Sequence, residues 1–394
     1  MSTKKALDVV VAGAGPVGMT AAHALALDGH RVTVLEAGAE LSSESRASTF
    51  HPATLDLLDE LGLAIPLHDG AVHVPDYQYR DRRDGLIARF DFGRLAGLTK
   101  HPYRLQIEQR WLTRIILPRL LEAGGTVKFG ARVVGASSTG DRPTLRYEEG
   151  GREHELPADL IVGADGASSA VRKSLGIDFD GMTYPERYLV ASTPFEFRDV
   201  MPDISWVNYV SDPAEWLLML RTPDYWRVMF PIADGVSDEA AQQPEEVQRR
   251  LQGVHALDRP YPVLHTTVYR VHQRVASRYV DGRVALVGDA AHINNPLGGL
   301  GMNSGIFDAF ALRDTVRRGL DRDLSAELAG FGRERRQASV DYVGVQTDRN
   351  WSQIRESDLQ TRRANALAMR ATADDADKTL EFLKRVSMLE QVPA

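Results

Sequence analysis

DVVVAGAGPVGMTAAHALALDGHRVTVLE, residues 8–36, sets the architecture of the chain. An apolar run, Asp8–Ala12, meets a glycine turn, Gly13–Gly18; a helix is predicted over Pro16–Asp28, and a second apolar run follows at Val32–Leu35. Neither run alternates with polar residues, the pattern of strands buried on both faces. Strand, helix, strand makes a βαβ unit, and hence a parallel sheet with a right-handed crossover. Gly13, Gly15 and Gly18 keep the G-x-G-x-x-G spacing, which permits a tight turn and lets a pyrophosphate approach the helix N-terminus. Glu36 closes the second strand eighteen residues after Gly18, where a carboxylate binds ribose hydroxyls. A dinucleotide site follows, although these residues do not say whether the dinucleotide carries a nicotinamide or a flavin.

Two later stretches have the same strand-into-glycine form. ALVGDAAHINNPLGGLGMNSG, residues 285–305, is an apolar strand broken at Gly288-Asp289, a buried-looking acid, before Gly298, Gly299, Gly301 and Gly305 open a helix. Without a ligand Asp289 would be a helix cap. With flavin adenine dinucleotide (FAD), it would accept bonds from the ribityl hydroxyls. The glycines would then bring backbone amides against the isoalloxazine ring and favour negative charge on the reduced flavin. LIVGADGASSAVRKSLGI, residues 160–177, ends a strand at Asp165-Gly166; its alternative reading is a capped helix with Arg172 as a surface cation.

Composition bounds the rest. The 394 residues are 43% hydrophobic and 26% charged, with formal net charge −7, which argues against nucleic acid as the main partner. There is no cysteine, so disulfides, thiolate nucleophiles and iron–sulfur clusters are excluded. No H-E-x-x-H or other metal signature is present, and Asp91-Phe92-Gly93 lacks every companion motif of a kinase. No apolar run is long enough for a membrane span, and MSTKKALDVVVAG enters a strand too early for a signal peptide; a cytoplasmic enzyme, monomer or homodimer, is expected. Further helices are predicted at His51–Leu61, Glu108–Glu122 and near Pro244–Val254, and residues 64–104 read as loops and short strands. Short strands follow Gly124-Gly125, an antiparallel, aromatic-rich region runs from Tyr188 to Ile232, and the chain is mostly helical from Gly301.

The glycine triplet, Asp165-Gly166 and Gly288-Asp289, in this order and spacing, resemble the single-component FAD-dependent aromatic hydroxylases, the group A flavoprotein monooxygenases typified by para-hydroxybenzoate hydroxylase. The resemblance is weakest at 64–104 and after 350. It implies a mixed α/β fold, with a Rossmann-type βαβ FAD-binding domain, an inserted antiparallel-sheet substrate domain and a helical C-terminal region. FAD-binding segments are expected at 1–75, 104–183 and 276–350, substrate-domain segments at 76–103 and 184–275, and the helical region at 351–394. It further implies that Gly13, Gly15, Gly18 and Glu36 contact the ADP half. Arg46, in SRAST, would reach a phosphate, and Gln109, in EQRWLTRIIL, the adenosine–ribityl region. Asp165 would serve both FAD and nicotinamide binding. Asp289, Pro296, Gly299, Gly301, Met302 and Asn303 would contact ribityl and ring. Longer relatives carry an extra C-terminal domain that this chain does not show.

The implied activity is hydroxylation of a small electron-rich aromatic, phenolic, aminoaromatic or hydroxypyridine-type, through a flavin C4a-hydroperoxide, with NAD(P)H and O2 as co-substrates. Ala37–Ser45 holds no basic residue for an NADPH phosphate, so NADH is the expected reductant. No side chain is assigned a catalytic role beyond ring-proximal Pro296. Tyr209, Trp216, Met219, Tyr225 and Val228, from period-2 strands, are candidates to line the pocket, with Arg80, Arg104, Arg221 and Arg227 as candidate anion partners. His51 and His292 lie near flavin segments and read as structural hydrogen-bonders. A same-fold reductase, a prenyl- or ubiquinone-pathway hydroxylase, a flavin-binding sensor and a plain NAD dehydrogenase remain alternatives.

Overall fold

A computed structural model describes residues 6–44 and 47–391. Its central sheet has six strands in the order Val280–Asp281, Val284–Leu286, Leu160–Gly163, Asp8–Ala12, Arg31–Glu36 and Thr126–Phe129. All neighbours pair in parallel except the two at the Val280 edge. The inner strands VVVA, LIVG and VAL are buried throughout, as their uninterrupted apolar runs require. Helices Pro16–Leu27, Gln109–Glu122 and Leu300–Leu320 cover one face, where Met19, Leu25, Leu112, Ile116, Ile306 and Phe310 share a core.

An eight-stranded sheet stands beside it, in the order His292–Ile293, His265–Ala276, Phe179–Thr193, Trp226–Ile232, Leu217–Arg221, Val207–Ser211, Asp76–Asp81 and Gly85–Asp91. The pairing is antiparallel except between Val207–Ser211 and Asp76–Asp81. Residues 76–91, unremarkable in sequence, thus extend the sheet by two strands. The long strand Phe179–Thr193 slips register between Thr183 and Arg187, and Pro185, which has no N–H for a ladder, falls inside that interruption. One face packs Leu217, Met219, Val228 and Phe230 against Leu251 of the helix Pro244–Val254. The other gathers Tyr77, Tyr188, Tyr209, Trp216 and Leu218 with Leu297 of the glycine-rich loop.

From Leu300 onward the chain is helical, and its last α-helix is Ala376–Val386. Asp375 caps that helix, and its apolar stripe lays Phe382 on Phe90, ring centroids 4.4 Å apart. The last helix therefore closes the aromatic face of the eight-stranded sheet.

Candidate cofactor and active site

The sequence fingerprints meet because the strands that carry them are neighbours. In register, Ala12 lies beside Leu35 and Gly163, and Gly163 beside Leu286. Glu36, the glycine turn, Asp165-Gly166 and Gly288-Asp289 thus follow the carboxyl ends of successive parallel strands, where open α/β sheets hold their ligands.

Each turn is built by close packing. A side chain on Gly13 would stand 2.5 Å from the Ala164 carbonyl oxygen, and one on Gly18 2.2 Å from that of Gly13. Gly15 differs: nothing lies within 4 Å of the position its Cβ would take, so the turn is open there. The helix that follows has no side-chain cap, which leaves its first amides available. Glu36 is fixed by amides, accepting from Ala14 and Gly38 at 2.8 Å each. Two oxygens that already accept these bonds retain lone pairs for ribose hydroxyls.

Asp165 turns one carboxylate oxygen to the amides of Ala170 and Val171, 2.7 and 3.2 Å away, while Oδ1 is buried without a partner. An orphaned carboxylate oxygen at the head of the sheet suits a ligand bearing hydroxyl or amide donors. Ser169 caps the short helix at Arg172 N. Arg172 is not the surface cation its sequence context suggested. It is 3% exposed, lies over the Phe179 ring, and donates to the carbonyls of Ala290 and Ala167 at 2.9 and 2.7 Å. The guanidinium thereby ties the Asp165 turn to the Asp289 turn.

The acid expected to be buried at 289 is exposed, because the turn Gly288–Ala290 directs it outward. The buried acid is Asp308, a residue sequence reasoning missed. It accepts from Gly288 N at 3.0 Å, His292 Nε2 at 2.8 Å and Arg335 Nε at 2.8 Å, and is fully buried. Burial would raise its pKa, but His292 and Arg335 outweigh burial and hold the carboxyl below the ordinary value. Helical spacing from Gly305 and a histidine next to the turn were the available signals. Gly305 and Gly288 also form the seat for Val17 of the first fingerprint, since a Cβ on Gly305 would lie 2.5 Å from its Cγ2.

In the glycine-rich loop Pro296 is exposed, Gly298 and Gly299 adopt φ of +110° and +67°, and a Cβ on Gly301 would stand 3.0 Å from Asn294 Oδ1. Met302 and Asn303 are buried. The Asn303 side chain is occupied by backbone, accepting from His51 N and donating to the carbonyls of Thr49 and Gly299. Contact with a ring would therefore run through the loop's backbone. His51 Nε2 lies 2.9 Å from the Gly298 carbonyl, and burial, reinforced by Arg104, pushes its pKa well below the usual imidazole value. Gln109 is half-buried at the first turn of its helix, and its amide donates to the Ala47 carbonyl. Arg46 lies outside the described residues.

The five pocket candidates do not share a face. Tyr209 and Trp216 face the glycine-rich loop, whereas Met219 and Val228 point into the opposite core beneath Leu251. The alternation of strand side chains makes this unavoidable for Val228, whose neighbour Met229 takes the loop side. Tyr225 is buried and its hydroxyl donates to Glu108, beside Gln109. Among the described residues no cluster of three or more His, Asp or Glu is placed to hold a metal, and no helix is long and apolar enough to cross a membrane.

A parallel sheet with these turns at its carboxyl ends has the architecture of a dinucleotide-binding protein. A family model described as FAD binding domain matches residues 6–342, and the chain belongs to that family, among its aromatic-hydroxylase flavoprotein monooxygenases. It is 33% identical over 375 residues, 93% of this chain and 92% of the other, to para-nitrophenol 4-monooxygenase of Pseudomonas sp. (strain WBC-3). It is 30% identical over 347 residues, 87% of each chain, to 6-hydroxy-3-succinoylpyridine 3-monooxygenase of Pseudomonas putida. The crystal structure of p-nitrophenol 4-monooxygenase from Pseudomonas putida DLL-E4 superposes with a TM-score of 0.91 at 29% identity, covering 98% of this chain and 99% of that one.

Proposed function

We propose that this chain hydroxylates a small, one-ring hydroxylated aromatic with NADH as reductant, in the cytoplasm. The observation that carries the reading is the convergence of Glu36, the open Gly15 turn, Asp165 and Asp289 on adjacent strand ends. In this assignment the Gly13–Gly18 turn and Glu36 hold the ADP half of FAD, Asp289 the ribityl hydroxyls, and the backbone of Pro296–Asn303 the ring edge. Asp165, with its orphaned Oδ1, serves the cofactor side. FAD, when bound, supplies the activation of O2 that no side chain here can provide.

The protein's own residues orient and exclude water. Tyr209, Trp216 and Tyr188 form an apolar roof with Leu297, and the helix Ala376–Val386 shuts it from outside. A dry pocket keeps the activated oxygen for the ring instead of releasing peroxide. Curated relatives that act on single hydroxylated rings, para-nitrophenol and 6-hydroxy-3-succinoylpyridine, align over 92% and 87% of their lengths, which favours a compact substrate.

The test is a screen of phenols, hydroxybenzoates, aminobenzoates and hydroxypyridines for stimulated NADH oxidation, then turnover under ¹⁸O2 with mass spectrometry. A product carrying one labelled oxygen is expected. Label found only in peroxide, or a reduced product, overturns the reaction assigned.

A further inference from the structure

Beneath the glycine-rich loop lies a small cavity lined by Tyr77, Tyr79, Arg104, Tyr209, Gly298 and residues of the C-terminal helices. Arg104 is 3% exposed and has no carboxylate partner among the described residues. The other three arginines that the sequence offered as anion partners are engaged: Arg80 with Asp203, Arg221 with Glu196, and Arg227 with the Tyr269 hydroxyl. Arg104 donates from Nη2 to the Val386 carbonyl at 3.1 Å, and its plane is held over the Tyr77 and Phe92 rings, 4.7 and 4.9 Å to their centroids. Its Nε is buried with no hydrogen-bond partner. So is the hydroxyl of Tyr77, itself 1% exposed. Tyr209 lines the same cavity as Arg104 and Gly298, and burial holds its hydroxyl protonated by raising its pKa.

A guanidinium is always charged and presents five donors in a fixed fork. Buried without a counter-anion it is costly, and an orphaned Nε and an orphaned hydroxyl on residues lining one cavity define a place for oxygen acceptors. Neighbouring His51, buried and with its pKa pushed well below the usual imidazole value, is neutral and offers no negative charge to compensate the guanidinium.

Resting on the monooxygenase reading above, we propose that Arg104, with the hydroxyls of Tyr77 and Tyr209, is the anion-recognition end of the substrate site and selects aromatics bearing an anionic oxygen group. That group is either a ring oxyanion (phenolate) or a ring-attached carboxylate. Both would seat against the Nε edge of the fork, the carboxylate through two oxygens and the phenolate through one.

Isothermal titration of the oxidised, FAD-loaded enzyme at pH 8 with benzoate, 4-nitrophenolate and neutral benzamide tests this without turnover. At least one anion is expected to bind about tenfold or more tightly than benzamide, the range of a charge-assisted hydrogen bond. Benzoate as the winner identifies the carboxylate, and 4-nitrophenolate the phenolate. Arg104→Met should erase the preference while leaving benzamide binding within about threefold. Arg104→Lys keeps the charge but loses the fork, so it should retain phenolate preference and lose most of a carboxylate preference. Equal binding of all three ligands by the wild type, a result independent of any variant's folding, overturns the proposal, as does a preference that survives in Arg104→Met. If the anion preference holds but no ligand stimulates NADH oxidation, the recognition site stands and the reaction assignment falls.

Discussion

Asp308→Asn is the sharpest probe of how the cofactor turn is held. Oδ2 accepts from Gly288 N and His292 Nε2, and Oδ1 from Arg335 Nε, all within 3.0 Å and away from water. Asparagine has nearly the same shape but must aim its NH2 at one of these donors. Whichever way it turns, a buried donor faces a donor, and Arg335 loses its counter-charge. Breaking one partner of a buried pair costs about 3–5 kcal/mol, a large share of the 5–15 kcal/mol typical of a folded protein. Asp289→Ala, at an exposed carboxylate within the same turn, should change the stability of the apoprotein by only about 0.5 kcal/mol. Loss of the hydrogen bonds proposed between Asp289 and the ribityl chain should nonetheless weaken FAD about ten- to a hundredfold. The assay is urea unfolding of both apoproteins together with FAD titration by quenching of flavin fluorescence. The pattern expected is a fold defect in Asp308→Asn and a pure affinity defect in Asp289→Ala. An Asp308→Asn apoprotein within about 1 kcal/mol of wild type would refute the keystone role, and unchanged FAD affinity in Asp289→Ala would reduce that acid to a turn residue.

The glycine turn should separate in the same way: Gly15→Ala, with open space for its Cβ, is expected to melt normally and bind FAD poorly, whereas Gly18→Ala, 2.2 Å from a carbonyl, should fail to fold well. Thermal melts of apoprotein beside FAD titrations decide it, and tight FAD binding by Gly15→Ala would sink the assignment. His51 has a folded pKa far below its unfolded value of about 6.5, so the unfolded chain takes the proton first and stability is lost as pH falls below that value, at up to about 1.4 kcal/mol per pH unit. His51→Gln should flatten the fall measured between pH 6.5 and 5.5; an identical slope in both proteins contradicts a buried neutral imidazole. With no cysteine for a thioether, the flavin should pass into the supernatant on acid precipitation, as FAD and not FMN. Comparison of kcat/KM should favour NADH, and a tenfold preference for NADPH would reverse that reading.

What could be read directly from the sequence was whatever rests on local periodicity. The strand Asp8–Ala12, the helix after it and the glycine spacings are set by neighbours in the chain, and the structure has them with boundaries shifted by a residue or so. Residues 76–91 form a local antiparallel hairpin within the expected substrate-domain segment, but its place in the sheet was obscure because Asp76–Asp81 also pairs in parallel with Val207–Ser211, more than a hundred residues away, and nothing local specifies that pairing. Asp289 was expected to be buried, and Asp308 was overlooked, for a related reason. A strand end predicts a turn, but which way a turn aims its side chain depends on what packs below it, here Val17, Gly305 and the His292–Asp308–Arg335 cluster. Met219 and Val228 show the limit of period-2 reasoning. It separates two faces of a strand without saying which of them meets the ligand.

The strand order of the central sheet has a consequence for how the protein is made. Asp8–Ala12 is synthesised long before its neighbour Leu160–Gly163, for which one of its two edges waits, and that strand in turn waits for Val284–Leu286. At about 5–20 residues per second, the interval between residues 36 and 284 is roughly 12–50 s. Through that time an apolar strand stands with an unpaired edge, the situation that invites association with other chains. The turn at Gly288 cannot form until the strand Val284–Leu286 that supports it is in place, so the proposed flavin site is complete only after those residues are made. Low expression, which keeps nascent chains apart during that interval, and an ample flavin supply are the conditions under which this chain should accumulate in soluble form.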